Sequence, residues 1–505
     1  MATPELKKHS VEHLEYDDVE AKGDEAHHRV ADQAAADYVD SSVVITPEEN
    51  KAMRRRIHKH ILPLMCLAYF LQAIDKGTLG TSSIMGWQQD VGAKGQDYAL
   101  TATFLWIGII VGEPICVRKL PLAKLLSAGT LAWSGLLMGI AFSLNVKAVF
   151  ALRFLLGLFE SLIGPVLLSI TVQWYRKDEQ PFVSAMWQAM IGLNNIVGGL
   201  LGFGFYHVKK THGLAGWQWM TLAISLFSFC CSATLFLFLP DTPTQARWLT
   251  PEEKVRYVER VRINNQGIKQ KVFRKDQAVE AVKDPYTYLL FFLAFWQTLV
   301  VGGINTFASL LINKAFGFDV LQSQLLNLPL GAMTVIMYFV MSTLIEKTHN
   351  TLYCMIGFAV PNIVGSIVLL CVAPSPSTKG GLVVAFYCMQ VFQAANPAIF
   401  LMLSRNSAGQ TKKSITYAVT YIGWAGGNAI APQIFQSRWA PRYLTSLEIH
   451  MALYGMWIIT CLTTRWLLVR RNKAKEAAQA GQTVKNENAF DDLTDIQNPD
   501  FRYSL

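Results

Sequence analysis

Hydrophobic residues in this chain come in long runs divided by short polar ones. Twelve apolar stretches approach the ~20 residues a helix needs to cross a bilayer, near 61–81, 99–118, 122–142, 147–171, 184–206, 218–239, 286–312, 325–345, 351–372, 381–404, 414–436 and 447–469. The runs are continuous and lack the strict alternation of a membrane β-strand. In lipid a backbone must satisfy its own hydrogen bonds, so the pattern predicts helices. One long polar segment, 240–285, opens on Pro240-Asp241-Thr242-Pro243 and separates the sixth run from the seventh. The expected fold class is therefore an all-α membrane protein, twelve transmembrane helices in two six-helix halves.

Expected boundaries are an acidic, disordered tail over 1–50, an N-terminal half over 51–239, a central loop over 240–285, a C-terminal half over 286–470 and a tail over 471–505. Two polar stretches carry helix starts. Thr46-Pro47-Glu48-Glu49 and Thr250-Pro251-Glu252-Glu253 each place a hydroxyl three residues before a carboxylate, the spacing of a capping box. The amphipathic helices they open are expected to lie along the membrane surface. The stretch 476–505 reads as disordered, like the N-terminal tail.

Composition agrees with a membrane protein. Of the 505 residues 52% are hydrophobic and only 16% charged, against about 25% charged in an average soluble domain. The net charge of +9 hides a split: residues 1–50 hold 13 Asp/Glu and 4 Lys/Arg, leaving the rest at +18. That positive charge lies between apolar runs, which argues for topology and an anionic membrane surface and against nucleic acid. Near the spans, 18 Lys/Arg fall on the side of the even-numbered connections and the tails, and 8 on the other. Both termini and the central loop are thus expected in the cytoplasm. With no cleavable signal in the polar N-terminal stretch, the first run is expected to be an uncleaved anchor. The eight cysteines lie in or at the ends of apolar runs without a CxxC spacing, which excludes a disulfide scaffold and leaves packed thiols.

Ionisable groups inside spans are costly and usually functional. Here they are Asp75-Lys76 in span one, Glu113 in span two, Arg153 and Glu160 in span four and His450 in span twelve. Arg153 and Glu160 are seven apart, which puts them on one helix face about 10.5 Å from each other. Gly157 and Gly164 share that face, while Leu155, Leu158 and Leu162 are expected to face lipid. The stripe suggests anion coordination by Arg153 and proton binding by Glu160; a structural ion pair between them is the alternative. Asp75 and Lys76 cannot share a face, so Lys76 is expected to complete a clamp on an anion and Asp75 to sit at the cavity edge. Glu113-Pro114 is expected to hold a gate. His450 is expected to meet backbone or headgroups.

Uncharged polar residues that suit a pocket are Asn195, Gln297, Asn305, Gln393 and Asn428. Asn396-Pro397 in span ten and Gly426-Gly427-Asn428 with Pro432 in span eleven read as helix breaks, which often mark transport sites. Gly198-Gly199 with Gly202 reads as close helix packing. The sequence has no HExxH, Walker A or GxSxG pattern and no soluble stretch long enough for an ATP-hydrolysing domain. The chain is not expected to be an enzyme or to need a cofactor or metal; an ion gradient is the expected energy source.

These motifs together resemble the major facilitator superfamily, in its anion:cation symporter branch, and in particular the fungal allantoate permease-like family. The likeness spans about 50–475. It rests on Ile61-Leu62-Pro63-Leu64 with Ala73-Ile74-Asp75-Lys76, Gly112-Glu113-Pro114, and Arg153-Phe154-Leu155-Leu156-Gly157 with Glu160. Pro240-Asp241-Thr242-Pro243 with Ala246-Arg247-Trp248-Leu249-Thr250, Asn406, Gly409, Lys412 and Lys413, and Gly427-Asn428 with Ala431-Pro432-Gln433-Ile434-Phe435 complete it. The resemblance implies the major facilitator fold, anion binding at Lys76 and Arg153, and proton coupling at Glu160 and Asp75. The chain departs from the superfamily at 117–124, where the acidic residue of the usual loop signature is missing and Glu113 or a distant residue is expected to supply the gate contact.

The function expected from all this is secondary active transport by alternating access. A small organic anion (a carboxylate, ureide, vitamin or sulfur compound) is expected to enter with protons, through a monomer in the plasma membrane. Export of a fungal metabolite or drug, or a nutrient receptor without transport, stays open.

Overall fold

The structure is a computed structural model that describes residues 45–116, 122–176, 179–208, 210–262, 273–478 and 493–505. The acidic stretch 1–44, the divergent loop residues 117–121 and the side chain of Glu113 lie outside what it describes. Among the described residues the chain is helical, with a single isolated bridge between Thr211 and Leu214.

The N-terminal half runs through α1 (Pro47–His60), α2 (Leu62–Ser82), α3 (Asp97–Cys116), α4 (Leu122–Phe142), α5 (Val146–Glu160), α6 (Ile163–Trp174), α7 (Gln180–Gln188), α8 (Met190–Tyr206) and α9 (Gly216–Phe238). The polar segment contributes α10 (Pro251–Arg262) and α11 (Lys275–Lys283). The C-terminal half follows with α12 (Pro285–Leu310), α13 (Val320–Leu325), α14 (Asn327–Thr348), α15 (Thr351–Cys371), α16 (Lys379–Gln390), α17 (Ala395–Asn406), α18 (Gln410–Ile434) and α19 (Leu444–Ala478). Among the described residues, ten helical stretches are long and apolar enough to cross a membrane. The second and eleventh expected spans are helical as well. The apolar part of α3 is short, Asp97–Gly112, and α18 mixes its apolar residues with Thr, Tyr and Lys. The protein is thus an all-α, multi-pass membrane protein with the expected order of segments.

Two compact bodies make up the chain. The smaller comprises the described parts of 1–63, 167–183 and 239–270. Both of its capping boxes form: Thr46 Oγ1 accepts from Glu49 N at 3.2 Å and Thr250 Oγ1 from Glu253 N at 3.3 Å. Arg260 is its buried centre. It donates to Glu179 Oε2 at 2.6 Å, Asn50 Oδ1 at 2.7 Å and the Trp174 carbonyl at 3.2 Å. Arg56 reaches Glu253 and the Trp248 carbonyl, and Tyr257 donates to the Met53 carbonyl, so α1 and α10 form one layer.

The larger body holds the spans, and missing side chains let its helices approach closely. A Cβ on Gly108 would lie 2.1 Å from the Phe154 carbonyl oxygen, and one on Gly427 2.5 Å from that of Phe295. These are the α3–α5 and α12–α18 crossings. Gly199 and Gly202 press on Gln324 in the same way, as their spacing suggested.

Two expectations need correction. Span four runs as one apolar stretch, Val146–Trp174, with a two-residue turn between Glu160 and Ile163. Leu162, expected to face lipid, is buried and packs toward Gly129 of α4. Span eleven is not broken: α18 runs through Gly426, Gly427 and Asn428 to Ile434, and its glycines serve packing. Span ten does change helix type, in the 3-10 turn Val391–Ala394 just before Pro397.

The end of the expected disordered tail is also ordered. Asp495 is fully buried against Lys412 at 2.8 Å, Tyr503 Oη donates to Asp495 Oδ2 at 2.8 Å, and Ser504 N donates to Asn406 Oδ1 at 2.7 Å. A few specific partners hold this stretch, where the composition of the tail as a whole suggested nothing.

Candidate functional site

The charged residues of spans one and four meet where Lys76 of α2 reaches Glu160 of α5 and Trp106 of α3. Asp75 and Lys76 are adjacent in α2, so their side chains leave the helix about 100° apart. Lys76 Nζ reaches Glu160 Oε2 at 3.1 Å and sits 4.8 Å from the ring centroid of Trp106 on α3. Glu160, the last residue of α5, is fully buried, while the Lys76 side chain keeps 24% of its surface exposed. The pair therefore has one sealed partner and one that reaches open space. Glu160 makes its close contact with Lys76, while Arg153 acts on it electrostatically at longer range.

Asp75 is fully buried, and neither carboxylate oxygen has a hydrogen-bond partner among the described residues. It lies within electrostatic reach of Glu160, Arg153 and Lys76. Arg153 is 4% exposed, with Nε unpartnered among the described residues. It forms the wall of a narrow cleft with Thr78, Ser82, Trp87, Trp217 and Thr221, all from the N-terminal half. Two acids and two bases thus share one low-dielectric region with few neutral partners. Burying such groups costs several kcal/mol each unless their charges compensate.

The other expected pocket residues scatter. Asn195 is half-buried and packs on Gly331 of α14. Gln297 is buried and donates weakly to the Phe392 carbonyl at 3.4 Å. Asn305 is exposed on α12. Gln393 is half-buried in the 3-10 turn of span ten, close to Tyr338. Asn428 donates to the Trp424 carbonyl at 2.9 Å, and its Oδ1 lies over Gly302. His450 is fully buried beside Phe435, with both ring nitrogens unpartnered among the described residues. No group of His, Cys, Asp or Glu suited to a metal gathers among the described residues.

Sequence reasoning missed Trp106, which supplies the ring under Lys76. Its signal was a tryptophan deep within a span, away from the interface where that residue usually sits. Asn194, one of the polar span residues the sequence offers as a possible cavity lining, was passed over in favour of Asn195. The Asn194 side chain crowds Gly77, next to Lys76, and its Nδ2 would lie 2.8 Å from a Cβ there.

The two halves of the larger body touch at one end of the spans. Tyr98 Oη donates to the Thr306 carbonyl at 2.5 Å, Thr103 Oγ1 to that of Ala429 at 2.8 Å, and Gln433 Nε2 to Thr103 Oγ1 at 2.9 Å.

Comparison with known proteins agrees with this architecture. The sequence profile described as Major Facilitator Superfamily matches residues 65–432. The thiamine pathway transporter THI73 of Saccharomyces cerevisiae is 31% identical over 453 residues, covering 89% of this chain and 85% of that protein. The allantoate permease of the same yeast is 28% identical over 478 residues, covering 92% and 88%. Among solved structures, the xylose transporter XylE from E. coli superposes with a TM-score of 0.59 at 13% identity, covering 80% of this chain and 96% of that one. Buried charge on two neighbouring spans, a twelve-segment helical order and these relatives have one reading: the chain belongs to the major facilitator superfamily of membrane transporters, alongside fungal relatives that include allantoate permease.

Proposed function

We propose that this transporter carries a small organic anion together with a proton, and that Glu160 and Lys76 couple the two. The observation that carries the reading is the Lys76–Glu160 contact of 3.1 Å inside a four-charge cluster. With Asp75 and Glu160 negative and Lys76 and Arg153 positive, the cluster sums to zero. A proton on Glu160 removes the charge that holds Lys76 and leaves the cluster with one positive charge in excess. A carboxylate on Lys76 restores neutrality. Arg153, farther along α5, keeps Asp75 from adding an uncompensated negative charge. Proton and anion thus bind together because either alone leaves a buried charge unmatched.

The Lys/Arg distribution supports a cytoplasmic side for both termini and the central loop, and the plasma membrane is the proposed location, with the monomer as the working unit. On that orientation the Tyr98–Thr306 and Thr103–Ala429 contacts seal the outer mouth, and the cluster is released toward the cytoplasm. The substrate classes proposed are carboxylates, ureides, vitamins and sulfur-containing acids.

The test is uptake by purified protein in proteoliposomes with an alkaline interior, using radiolabelled members of those classes. With one proton per monoanion, each pH unit supports about tenfold accumulation. Glu160→Gln is expected to abolish accumulation but to keep exchange of labelled for unlabelled anion, since Lys76 is then permanently released. Full pH-driven accumulation by Glu160→Gln would overturn the assignment.

A further inference from the structure

The Lys76 ammonium is the end of a row of aromatic rings. Trp106 lies beneath it at 4.8 Å. Trp424 meets Trp106 edge to face at 5.1 Å and 82°. Tyr421 follows at 5.0 Å from Trp424, Tyr417 at 6.2 Å from Tyr421, and Phe400 of α17 at 5.6 Å from Tyr417. Positions 417, 421 and 424 are spaced by four and three, so they share one face of α18.

A stripe of aromatic residues on a helix ordinarily means packing. Here the packing of α18 on α12 belongs to a different face. Gly423 and Gly427 press on the backbone of Phe291 and Phe295, where a Cβ would lie 2.6 and 2.5 Å from the carbonyl oxygens. The aromatic face turns instead toward the N-terminal half. It meets Trp106 of α3, and Tyr421 Oη is the atom nearest Gly164 of α6, four residues beyond Glu160 and without a side chain. Trp106, Trp424, Tyr417 and Phe400 are all only half-buried, unlike the fully buried Trp133, Trp174, Trp217 and Trp457. The row therefore has ring surface left uncovered, directly beside the one cluster cation that is itself part-exposed.

We propose that the anion carried is ring-bearing: its carboxylate pairs with Lys76 and its planar ring packs against the part-exposed ring of Trp424, with Tyr421 buried behind it. This deepens the anion–proton reading above and rests on it. Aromatic faces reward flat, polarisable partners in stacked or edge-on contact. A short aliphatic acid satisfies Lys76 equally well but leaves the row uncovered. Trp106 is a positioning residue in this arrangement. Its ring holds the ammonium by cation–π attraction and sets the end of the row against which the substrate ring stops.

The test is isothermal titration calorimetry on the purified full chain in detergent at pH 5.5 and 7.5. Pyridine-3-carboxylate and indole-3-acetate serve as ring-bearing probes, and butanoate and lactate as chain probes of equal charge. The ring acids are expected to bind at least tenfold more tightly than the chain acids. Trp424→Leu should bring the ring acids down to the chain acids' level and leave the chain acids unchanged. Trp424→Phe, which keeps a ring, should retain most of the preference and shows that the fold survives. Equal binding of the two classes, or equal weakening of both in Trp424→Leu, would overturn the ring-bearing assignment while leaving anion binding intact. No binding by any of the four acids at either pH, in protein that melts cooperatively, would overturn the anion reading itself and this inference with it.

Discussion

Gly157 lies one turn before Glu160 and decides where Glu160 can stand. A Cβ on it would fall 2.0 Å from the Leu105 carbonyl oxygen of α3, a distance no neighbouring backbone accommodates without moving. Gly157→Ala must therefore push α3 and α5 apart, and with them Trp106 and Glu160, which approach Lys76 from those two helices. Overpacking of this kind costs about 1–3 kcal/mol. Gly157→Ala is expected to lower the melting temperature of purified protein and to reduce anion uptake per folded molecule. A variant with wild-type melting and uptake would show that the crossing is not rigid. The sequence marked Gly157 as part of a charged stripe facing a cavity. The charges were legible there, because Arg and Glu are rare in spans. The role of the glycine was not, since the same residue serves a cavity or a tight crossing and only the position of α3 decides between them.

At the scale of elements, the strongest local prediction concerns Arg260. It is fully buried in the smaller body, and Glu179 takes its charge while Asn50 and the Trp174 carbonyl take further donors. Removing one partner leaves the other charge buried and uncompensated, at a cost of about 3–5 kcal/mol. Glu179→Gln and Arg260→Ala are each expected to lower the melting temperature markedly. The double variant should be little worse than either single one, because the second loss removes the orphaned charge. Additive effects in that cycle would deny the pairing. The two kinds of feature in this body differ in how readily a sequence discloses them. The capping boxes at Thr46 and Thr250 close within three residues and were readable directly. The Arg260–Glu179 pair spans 81 residues, and nothing in either neighbourhood points to the other. Helix α18 shows the converse error. Gly426, Gly427 and Pro432 looked like a break, yet the helix continues, because the missing side chains admit α12 and only the bond that Pro432 cannot donate is lost.

At the scale of the whole molecule, the C-terminal half is tied at one end by a charge cluster that joins distant parts of the chain. Asp284 caps α12 by accepting from Tyr286 N at 2.9 Å. It also receives Lys412 of α18 at 2.8 Å and Arg471 of α19 at 2.5 Å. Lys412 in turn bonds Glu280 of α11 at 3.0 Å and Asp495 of the final ordered stretch at 2.8 Å. The polar composition of the tail concealed this docking, which depends on a few residues such as Asp495 and Tyr503 and on no periodic pattern. Burial alone would raise the Asp284 carboxyl, but Arg471 and Lys412 outweigh it and hold it below its ordinary value. A carboxylate depressed in the folded state stabilises the fold fully above its unfolded value, near pH 4, and loses that contribution as the pH falls through the lower folded value. The expected signature is a melting-temperature gap between wild type and Asp284→Asn that stays constant from about pH 7 to pH 5 and closes only below about pH 4. Asp276, which is exposed and bonds Arg274 two residues away, is the control. Its substitution with Asn should leave the melting temperature nearly unchanged throughout, because an exposed local pair contributes little. A gap for Asp284→Asn that closed already between pH 7 and pH 5 would mean that the cluster fails to hold the carboxylate charged. The tie between α12, α18, α19 and the docked tail would then have to rest on its neutral hydrogen bonds, such as Ser504 to Asn406 and Tyr503 to Asn472.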